Sequence, residues 1–219
     1  MTSAILDPAF VGSGRSTEFF EFLRAINDAT GKEEETQSVK KEVARLKQRF
    51  LTPSQLSQAK LAECVVGLLY CEMLGYKVEF GYIHAIILAQ SAKNLKEKRI
   101  GYLVSSLLLN KDHELSIMLM NSIQQDLKST NPLVICCALD ALRHLVNSET
   151  FPIFSQILEA LLMHRSSSVR KKSVTVMHKV YNLDANLLTT QLDKLQNLLE
   201  DGDIGVRETG LSLVVDIVS

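Results

Sequence analysis

The sequence predicts an all-α protein built from helical hairpins that repeat along the chain. Apolar residues make up 46% of the 219 positions, and through most of the chain they recur every three or four residues, as on one face of a helix. Runs of β-branched residues between turn dipeptides, which would indicate strands, are few. A motif near residue 98 also returns three times at nearly equal steps. These observations favour stacked helix pairs over a β-rich or disordered chain.

The N-terminal part of the chain divides into a flexible segment and two helices. Residues 1–16 contain Gly and Ser without helical periodicity, so we predict a flexible segment there. Ser16 or Thr17 then caps a first helix that begins at Glu18 and has an aromatic face. A second, highly charged helix runs over 33–50 with one apolar stripe. We interpret its basic residues as a solvated face, and a strip facing an anionic membrane is the alternative.

Three further helices are predicted between residues 52 and 109, joined by short connectors. The Thr-Pro-Ser sequence at 52–54 predicts a helix start, because proline is tolerated in the first helical turn. The helix over 56–74 is followed by a glycine, which commonly succeeds the last helical turn. A loop leads to a helix over 80–90. Charged residues 96–99 then lead into an apolar helix over 100–109.

The repeated motif sets the architecture of the rest of the chain. Its copies begin at Lys98, Val134, Val169 and Val206, at steps of 36, 35 and 37 residues. This period is close to that of HEAT and armadillo repeats, in which each unit is a helical hairpin. A small residue that permits close helix packing lies four positions into each of the last three copies. These small residues are Ala138, Ser173 and Gly210. We predict a right-handed α-solenoid of HEAT/armadillo-like hairpins over 17–219.

Three amphipathic partner helices lie between the copies, predicted over 115–127, 152–163 and 187–199. Such an array buries its apolar faces only against neighbouring repeats, so terminal repeats need a polar cap. The sequence stops inside the apolar helix of a repeat instead. We therefore expect the N-terminal fragment of a longer solenoid, with a partner that covers the end as the alternative.

Composition and motifs exclude several classes of protein. The net charge of −1 argues against a nucleic-acid-binding protein, and neither a signal peptide nor an apolar run of membrane-spanning length is visible. The cysteines lie in apolar helical runs without Cys-x-x-Cys spacing, which indicates reduced core residues and a cytoplasmic protein whose membrane contact is peripheral. The histidines are scattered, and phosphate-binding loops, His-Glu-x-x-His and nucleophile patterns are missing. We predict no catalysis, metal or cofactor.

Strings in the central stretch carry a family resemblance. Residues 70–76 read Tyr-Cys-Glu-Met-Leu-Gly-Tyr, residues 80–86 read Phe-Gly-Tyr-Ile-His-Ala-Ile, and residues 97–103 read Glu-Lys-Arg-Ile-Gly-Tyr-Leu. They resemble the N-terminal trunk of the large adaptin subunits of adaptor-protein coat complexes. The Tyr-Cys-Glu and Gly-Tyr-Ile-His-Ala-Ile elements favour the epsilon class, found in the fourth adaptor complex, over the gamma and alpha classes. The resemblance covers about 32–219 and is strongest over 63–131.

The resemblance implies a scaffold subunit of a heterotetramer with beta-type, medium mu-type and small sigma-type chains. A GTP-bound Arf-family GTPase would recruit this complex to trans-Golgi or endosomal membranes, where it sorts cargo for vesicle-mediated protein transport. The alternative is a HEAT-repeat scaffold of another class, such as a karyopherin-like receptor or a phosphatase regulatory subunit. A regulatory fragment that competes with the full subunit is a third interpretation.

Residue by residue, the resemblance places candidate GTPase contacts at Ile83 and Ile86 of the 80–90 helix and at Met118 of the next helix. These positions are also compatible with a helical core. A basic patch near one helix end is a candidate for contact with an anionic membrane, and solvated helix ends are the alternative. The patch comprises Lys93, Lys96, Lys98 and Arg99.

Overall fold

The computed structural model describes residues 17–52, 56–110, 113–188 and 197–218, and within these ranges the regular structure is entirely helical. The predicted all-α fold is confirmed. The predicted flexible segment 1–16 lies outside the described residues, as does most of the Thr-Pro-Ser sequence. The α-helices are α1 (Thr17–Asn27), α2 (Lys32–Leu51), α3 (Gln58–Met73), α4 (Tyr82–Ser91), α5 (Leu95–Leu108), α6 (Ser116–Asp126), α7 (Pro132–Leu145), α8 (Phe151–Leu162), α9 (Ser167–Tyr181) and α10 (Ile204–Val218).

The helices from α3 onwards form two layers. One layer consists of α3, α5, α7, α9 and α10, which pack side by side. The other layer consists of α4, α6 and α8, which pack against α5, α7 and α9 respectively. At the N-terminal end α1 packs on α2, and α2 packs on α3. One apolar core runs through the described residues from α1 to α10. This two-layer stack of hairpins is the predicted α-solenoid.

Helix ends differ from the prediction where a polar side chain caps the backbone. Helix α3 begins at Gln58, because the hydroxyl of Ser57 accepts a hydrogen bond from the Lys60 amide at 3.3 Å. Asn94 caps α5 by accepting from the Lys96 amide at 3.1 Å. Residues 96–99 therefore belong to the first turns of α5 rather than to the connector before it.

Other predicted boundaries hold more closely. Gly75 ends α3 with a φ of 88°, in the left-handed region that glycine adopts readily. The partner helices predicted over 115–127 and 152–163 correspond to α6 and α8. Most of the helix predicted over 187–199 falls outside the described residues. On either side of that gap the structure has 3-10 turns, at Ala185–Leu188 and Asn197–Glu200.

Small residues sit where helices approach most closely. Ala138 and Ser173 are fully buried in α7 and α9, and a Cβ atom added at Gly210 would lie 3.1 Å from that of Leu198. In α5 the close approach is at Gly101, three positions into the first copy, which the sequence alignment did not single out. A Cβ atom at Gly101 would lie 2.4 Å from the backbone nitrogen of Ala89, so α4 and α5 are in backbone contact there.

An ion pair ties α9 to the segment before α10. Nε of Arg170 lies 2.6 Å from one carboxylate oxygen of Asp201, and Nη2 donates to the other at 2.7 Å. Such a two-point contact matches the planar guanidinium to the carboxylate. The hydrogen bonds from Arg170 hold the pKa of Asp201 below its usual value.

Candidate interaction surfaces

Helix α4 has one exposed edge on an otherwise buried surface. Ile86 is fully buried, with 0% of its surface exposed, because α4 packs against α3, α5 and α6. Ile86 is therefore a core residue, and the prediction that it contacts a GTPase is corrected. The adjacent Ile87 is 37% exposed, and Ile83, one turn earlier on the same edge, is half-buried. Sequence reasoning had passed over Ile87.

The exposed edge of α4 continues onto α6. The amide of Gln90 donates to the carbonyl oxygen of Met118 at 3.3 Å, which places the last turn of α4 beside the start of α6. The Met118 side chain is 41% exposed. We call this set, Ile83, Ile87, Gln90 and Met118, the α4–α6 surface. It contains two of the three predicted GTPase contacts.

A buried aromatic contact supports α4 from the side of α2. The ring of His84 stacks on that of Phe50 with centroids 4.1 Å apart. Nδ1 of His84 is buried, and no described residue forms a hydrogen bond with it. Burial lowers the pKa of His84, because the charged ring would lose its hydration. His84 therefore stabilises α4 as a neutral ring.

Lys98 belongs to a hydrogen-bond network rather than to a free basic patch. Its ammonium group lies 2.5 Å from Oδ2 of Asp126 and donates to the carbonyl oxygen of Ala89 at 3.0 Å. The buried Tyr102 hydroxyl donates to the same Asp126 oxygen at 2.5 Å. Burial and this hydrogen bond raise the pKa of Tyr102. Only 12% of the Lys98 side chain is exposed, so its assignment to the membrane-facing patch is corrected.

The other members of the predicted patch remain accessible. Lys93, Lys96 and Arg99 are exposed, and none of them forms an ion pair within the described ranges. Gln58 fixes the connector between α4 and α5, since its side chain donates to the Ser91 carbonyl at 2.6 Å and accepts from the Lys93 amide at 3.1 Å. The three cations therefore lie on and beside an ordered connector.

A second apolar area lies on α5. Leu103 and Leu107, one helical turn apart, are each more than half exposed. Leucines exposed at that spacing form a continuous stripe on a helix. We call this pair the α5 surface. The sequence did not distinguish it from the core, because a stripe that faces a partner has the same periodicity as one that faces the core.

The described residues contain no cluster of His, Cys, Asp and Glu arranged to hold a metal ion. Within the same part of the chain no helix is long and apolar enough to cross a bilayer.

Comparison with known proteins decides the family. A family model described as the adaptin N terminal region matches residues 35–218. The chain belongs to the adaptin family. This membership favours the adaptin interpretation of the repeat over a karyopherin-like or phosphatase-associated scaffold, which the period alone had left open.

The adaptin chain is similar to curated proteins named AP-4 complex subunit epsilon. It is 39% identical to the one from Arabidopsis thaliana over 95% of this chain and 22% of the relative. It is 40% identical to the Dictyostelium discoideum protein over 91% of this chain and 18% of the relative. It is 36% identical to the human AP-4 complex subunit epsilon-1 over 96% of this chain and 18% of the relative. The predicted likeness to the epsilon class is confirmed. This adaptin chain spans about a fifth of the length of these relatives.

A structural comparison supports the architecture. The adaptin chain is similar to a chain of a homology model of the full-length AP-3 complex in an intermediate open conformation, with a TM-score of 0.63 and 26% sequence identity. The similarity covers 72% of this chain and 28% of the other. The α-solenoid is therefore shared with a chain of an adaptor complex.

Proposed function

We propose that this chain is the N-terminal scaffold region of the large, epsilon-type subunit of a heterotetrameric adaptor complex. Similarity to AP-4 epsilon proteins over nearly the whole chain supports this assignment. The complex works in the cytoplasm, peripherally on trans-Golgi or endosomal membranes, and supports cargo sorting in vesicle-mediated transport. Beta-type, mu-type and sigma-type subunits complete it. The chain acts by presenting surfaces rather than by catalysis.

The observation that carries the recruitment mechanism is the apolar α4–α6 surface. Ile87 and Met118 expose apolar area on two neighbouring helices, and Gln90 holds these helices together at the α4 end. Grooves between helices bind apolar side chains of partner segments. The switch segments of a GTPase are ordered by the γ-phosphate and released after hydrolysis. Docking of switch residues on this surface would make recruitment depend on GTP.

The cations near this surface suit a membrane-bound GTPase. Lys93 follows the last residue of α4 by two positions, and Lys96 and Arg99 lie in the first turns of α5. Each basic residue close to an anionic bilayer contributes about 1 kcal/mol of attraction. A GTPase anchored in the membrane would hold the α4–α6 surface and the connector near the lipid headgroups together.

The α5 surface is the proposed contact for the small sigma-type chain. Leu103 and Leu107 expose apolar side chains on the helix layer opposite α4 and α6. Contiguous exposed apolar residues commonly mark protein interfaces. Burial of both leucines would stabilise the complex in proportion to the apolar area removed from water.

The GTPase assignment is tested by binding to an Arf-family GTPase loaded with GTP or with GDP, with the chain co-expressed with a sigma-type small chain. We expect binding to the GTP form and at least a tenfold weaker affinity for Ile87→Asp and Met118→Asp, because a carboxylate would be desolvated in an apolar contact. Met163→Asp is the control, since Met163 is also apolar and is 70% exposed, more than Ile87 and Met118, but lies at the end of α8.

Circular dichroism must show unchanged helicity in all three variants. Binding that ignores the nucleotide, or that survives both α4–α6 substitutions, would contradict the assignment of this surface. Loss of binding in the Met163 control as well would point to a general effect of charge rather than to a defined contact.

A further inference from the structure

A groove between α7 and α9 has a chemistry that neither the α4–α6 nor the α5 surface shares. It has a cavity volume of about 340 Å³. Its lining is polar and cationic and comes from the C-terminal turns of both helices. The lining residues are Arg143, His144, Thr175, His178, Lys179 and Asn182. We call this site the α7–α9 groove.

Two cations in the groove have no acidic partner among the residues that the structure describes. Arg143 and Lys179 are exposed and form no ion pair with any described carboxylate. The acidic groups beside the groove are already engaged: Asp140 pairs with Lys172, and Asp216 lies 2.5 Å from Nε2 of His178. Arg143 and Lys179 therefore add like charge to one groove, and the opposing carboxylate of Asp140 is itself paired with Lys172.

The positive charges act on the same point in the groove. An η-nitrogen of Arg143 lies 3.4 Å from Nε2 of His144. The pKa of His144 is lowered, first by burial and next by the charge of Arg143, with a smaller contribution from Lys179 and an opposing one from Asp140. Both cations, which lie on different helices, line the groove beside His144.

Favourable interaction with helix dipoles explains only part of this arrangement. Basic residues in a last helical turn gain roughly 0.3–1 kcal/mol from the helix dipole, and both helices have such residues. That gain requires a cation at each helix end, but it does not require cations of adjacent helices to face one groove. An anion between Arg143 and Lys179 would replace their repulsion by two charge-assisted hydrogen bonds.

We propose that the α7–α9 groove binds the phosphate of a phosphorylated serine or threonine in a protein segment. The Arg143 guanidinium offers a planar fork for two phosphate oxygens, and the Lys179 ammonium supplies a second positive charge. The exposed amide of Asn182 is a further donor at the rim. The hydroxyl of Thr175 already donates to the Lys171 carbonyl at 3.0 Å, so it is available only as an acceptor.

The surroundings of the groove favour a peptide over a bilayer. The side chains of Asp140 and Asp216 are 54% and 44% exposed on the α7–α10 face that carries the groove. A flat anionic membrane laid on this face would bring its headgroups against both carboxylates, which repel them. A single phosphorylated side chain between Arg143 and Lys179 would bring less negative charge against these carboxylates than a flat membrane would.

The test titrates the 219-residue chain, labelled with ¹⁵N, with the amide of N-acetyl-phosphoserine while NMR spectra are recorded. We expect shifts of the backbone signals of residues 143–144 and 175–182, and none with the amide of N-acetyl-serine. Arg143→Gln/Lys179→Gln should weaken binding at least about tenfold, since two charge-assisted hydrogen bonds are lost. The matched control is Arg165→Gln/Lys171→Gln, which removes two exposed charges near the other end of α9 and should leave binding unchanged.

Three results would overturn the proposal. Binding of phosphoserine that is equal in the groove variant and in the control would show general charge attraction. The absence of any shift with phosphoserine would show that the groove does not take a phosphate monoester. Binding to phosphatidylcholine vesicles that carry a phosphoinositide, lost in the groove variant while phosphoserine fails to bind, would assign the groove to a membrane instead. The test requires neither a GTPase nor a small chain, so it stands apart from the proposed recruitment mechanism.

Discussion

Replacement of Gly101 by alanine tests the closest helix contact of the solenoid. Alanine has the higher helix propensity, which by itself would stabilise α5 by about 1 kcal/mol. The added methyl group, however, would lie 2.4 Å from the nitrogen and 2.7 Å from the Cα atom of Ala89. Because these are backbone atoms, the clash cannot be relieved by a change of rotamer.

The two opposing effects can be compared in magnitude. Carbon atoms pack at about 3.5–4.0 Å, so α5 would have to move from α4 by about 1 Å and lose contacts along its length. Overpacking of this kind costs about 1–3 kcal/mol, and we place Gly101→Ala at the upper end because both helices are fixed by other neighbours. The net expectation is a free energy of unfolding lower by about 2 kcal/mol. With a urea dependence of about 2 kcal/mol per molar, the midpoint would fall by about 1 M.

Gly205→Ala is the matched control. Gly205 lies in the first turn of α10, and there a Cβ atom would meet the ends of two flexible side chains, Lys171 at 3.1 Å and Asp203 at 3.2 Å. Lys171 can move, and Asp203, which accepts from the Val206 amide at 3.2 Å, needs to shift by only a few tenths of an ångström. The gain in helix propensity should therefore prevail and raise the free energy of unfolding by about 0.5 kcal/mol. Urea unfolding followed by circular dichroism measures both changes. A Gly101→Ala variant as stable as the parent would refute the backbone contact between α4 and α5.

Three further predictions concern charged groups. Asp126→Ala should lower the free energy of unfolding, measured by calorimetry, by about 2–3 kcal/mol, because the largely buried Lys98 ammonium group loses the Asp126 carboxylate. A loss under about 1 kcal/mol would show that water takes the place of that carboxylate. Burial keeps His84 neutral in the folded chain, so the unfolded chain binds the proton at higher pH and the free energy of unfolding should fall as the pH drops below roughly 6.5. His84→Gln should flatten this part of the pH profile. An unchanged slope would show that other groups cause the pH dependence. The pKa of Asp201 is lowered in the folded chain, so its pairing with Arg170 stabilises the fold above the unfolded pKa of about 3.9, and this stabilisation is lost as the pH falls through the folded pKa. A double-mutant cycle should give a coupling energy of about 1 kcal/mol near pH 7. A coupling energy that persists in strong acid would contradict the ion pair.

Hydrophobic periodicity predicted most of the helices because each element of a solenoid buries one face. It could not tell which isoleucine of α4 is exposed. That helix packs against α3, α5 and α6, so apolar residues occur on nearly all of its sides. Their spacing therefore does not indicate which side is exposed. The family resemblance selected Ile86, whereas the packing buries Ile86 and exposes Ile87.

Pairing between distant segments was also beyond the sequence. Lys98 reads as a surface residue among other charges, but its partner Asp126 is 28 positions away and lies on the next helix. The repeat period gives more information about the α7–α9 groove. Arg143 and Lys179 are 36 positions apart, one more than the step of 35 between the copies at Val134 and Val169, so the period places them within one position of each other on adjacent hairpins.

The central claim is that this chain is an adaptin scaffold that assembles with a small chain. Its most direct test is co-expression of the chain with a sigma-type small chain, followed by size-exclusion chromatography with light scattering. We expect a one-to-one complex that dissociates when Leu103 and Leu107 of the α5 surface are both replaced by aspartate, with helicity unchanged. A helical, well-folded chain that elutes alone beside the small chain would contradict it.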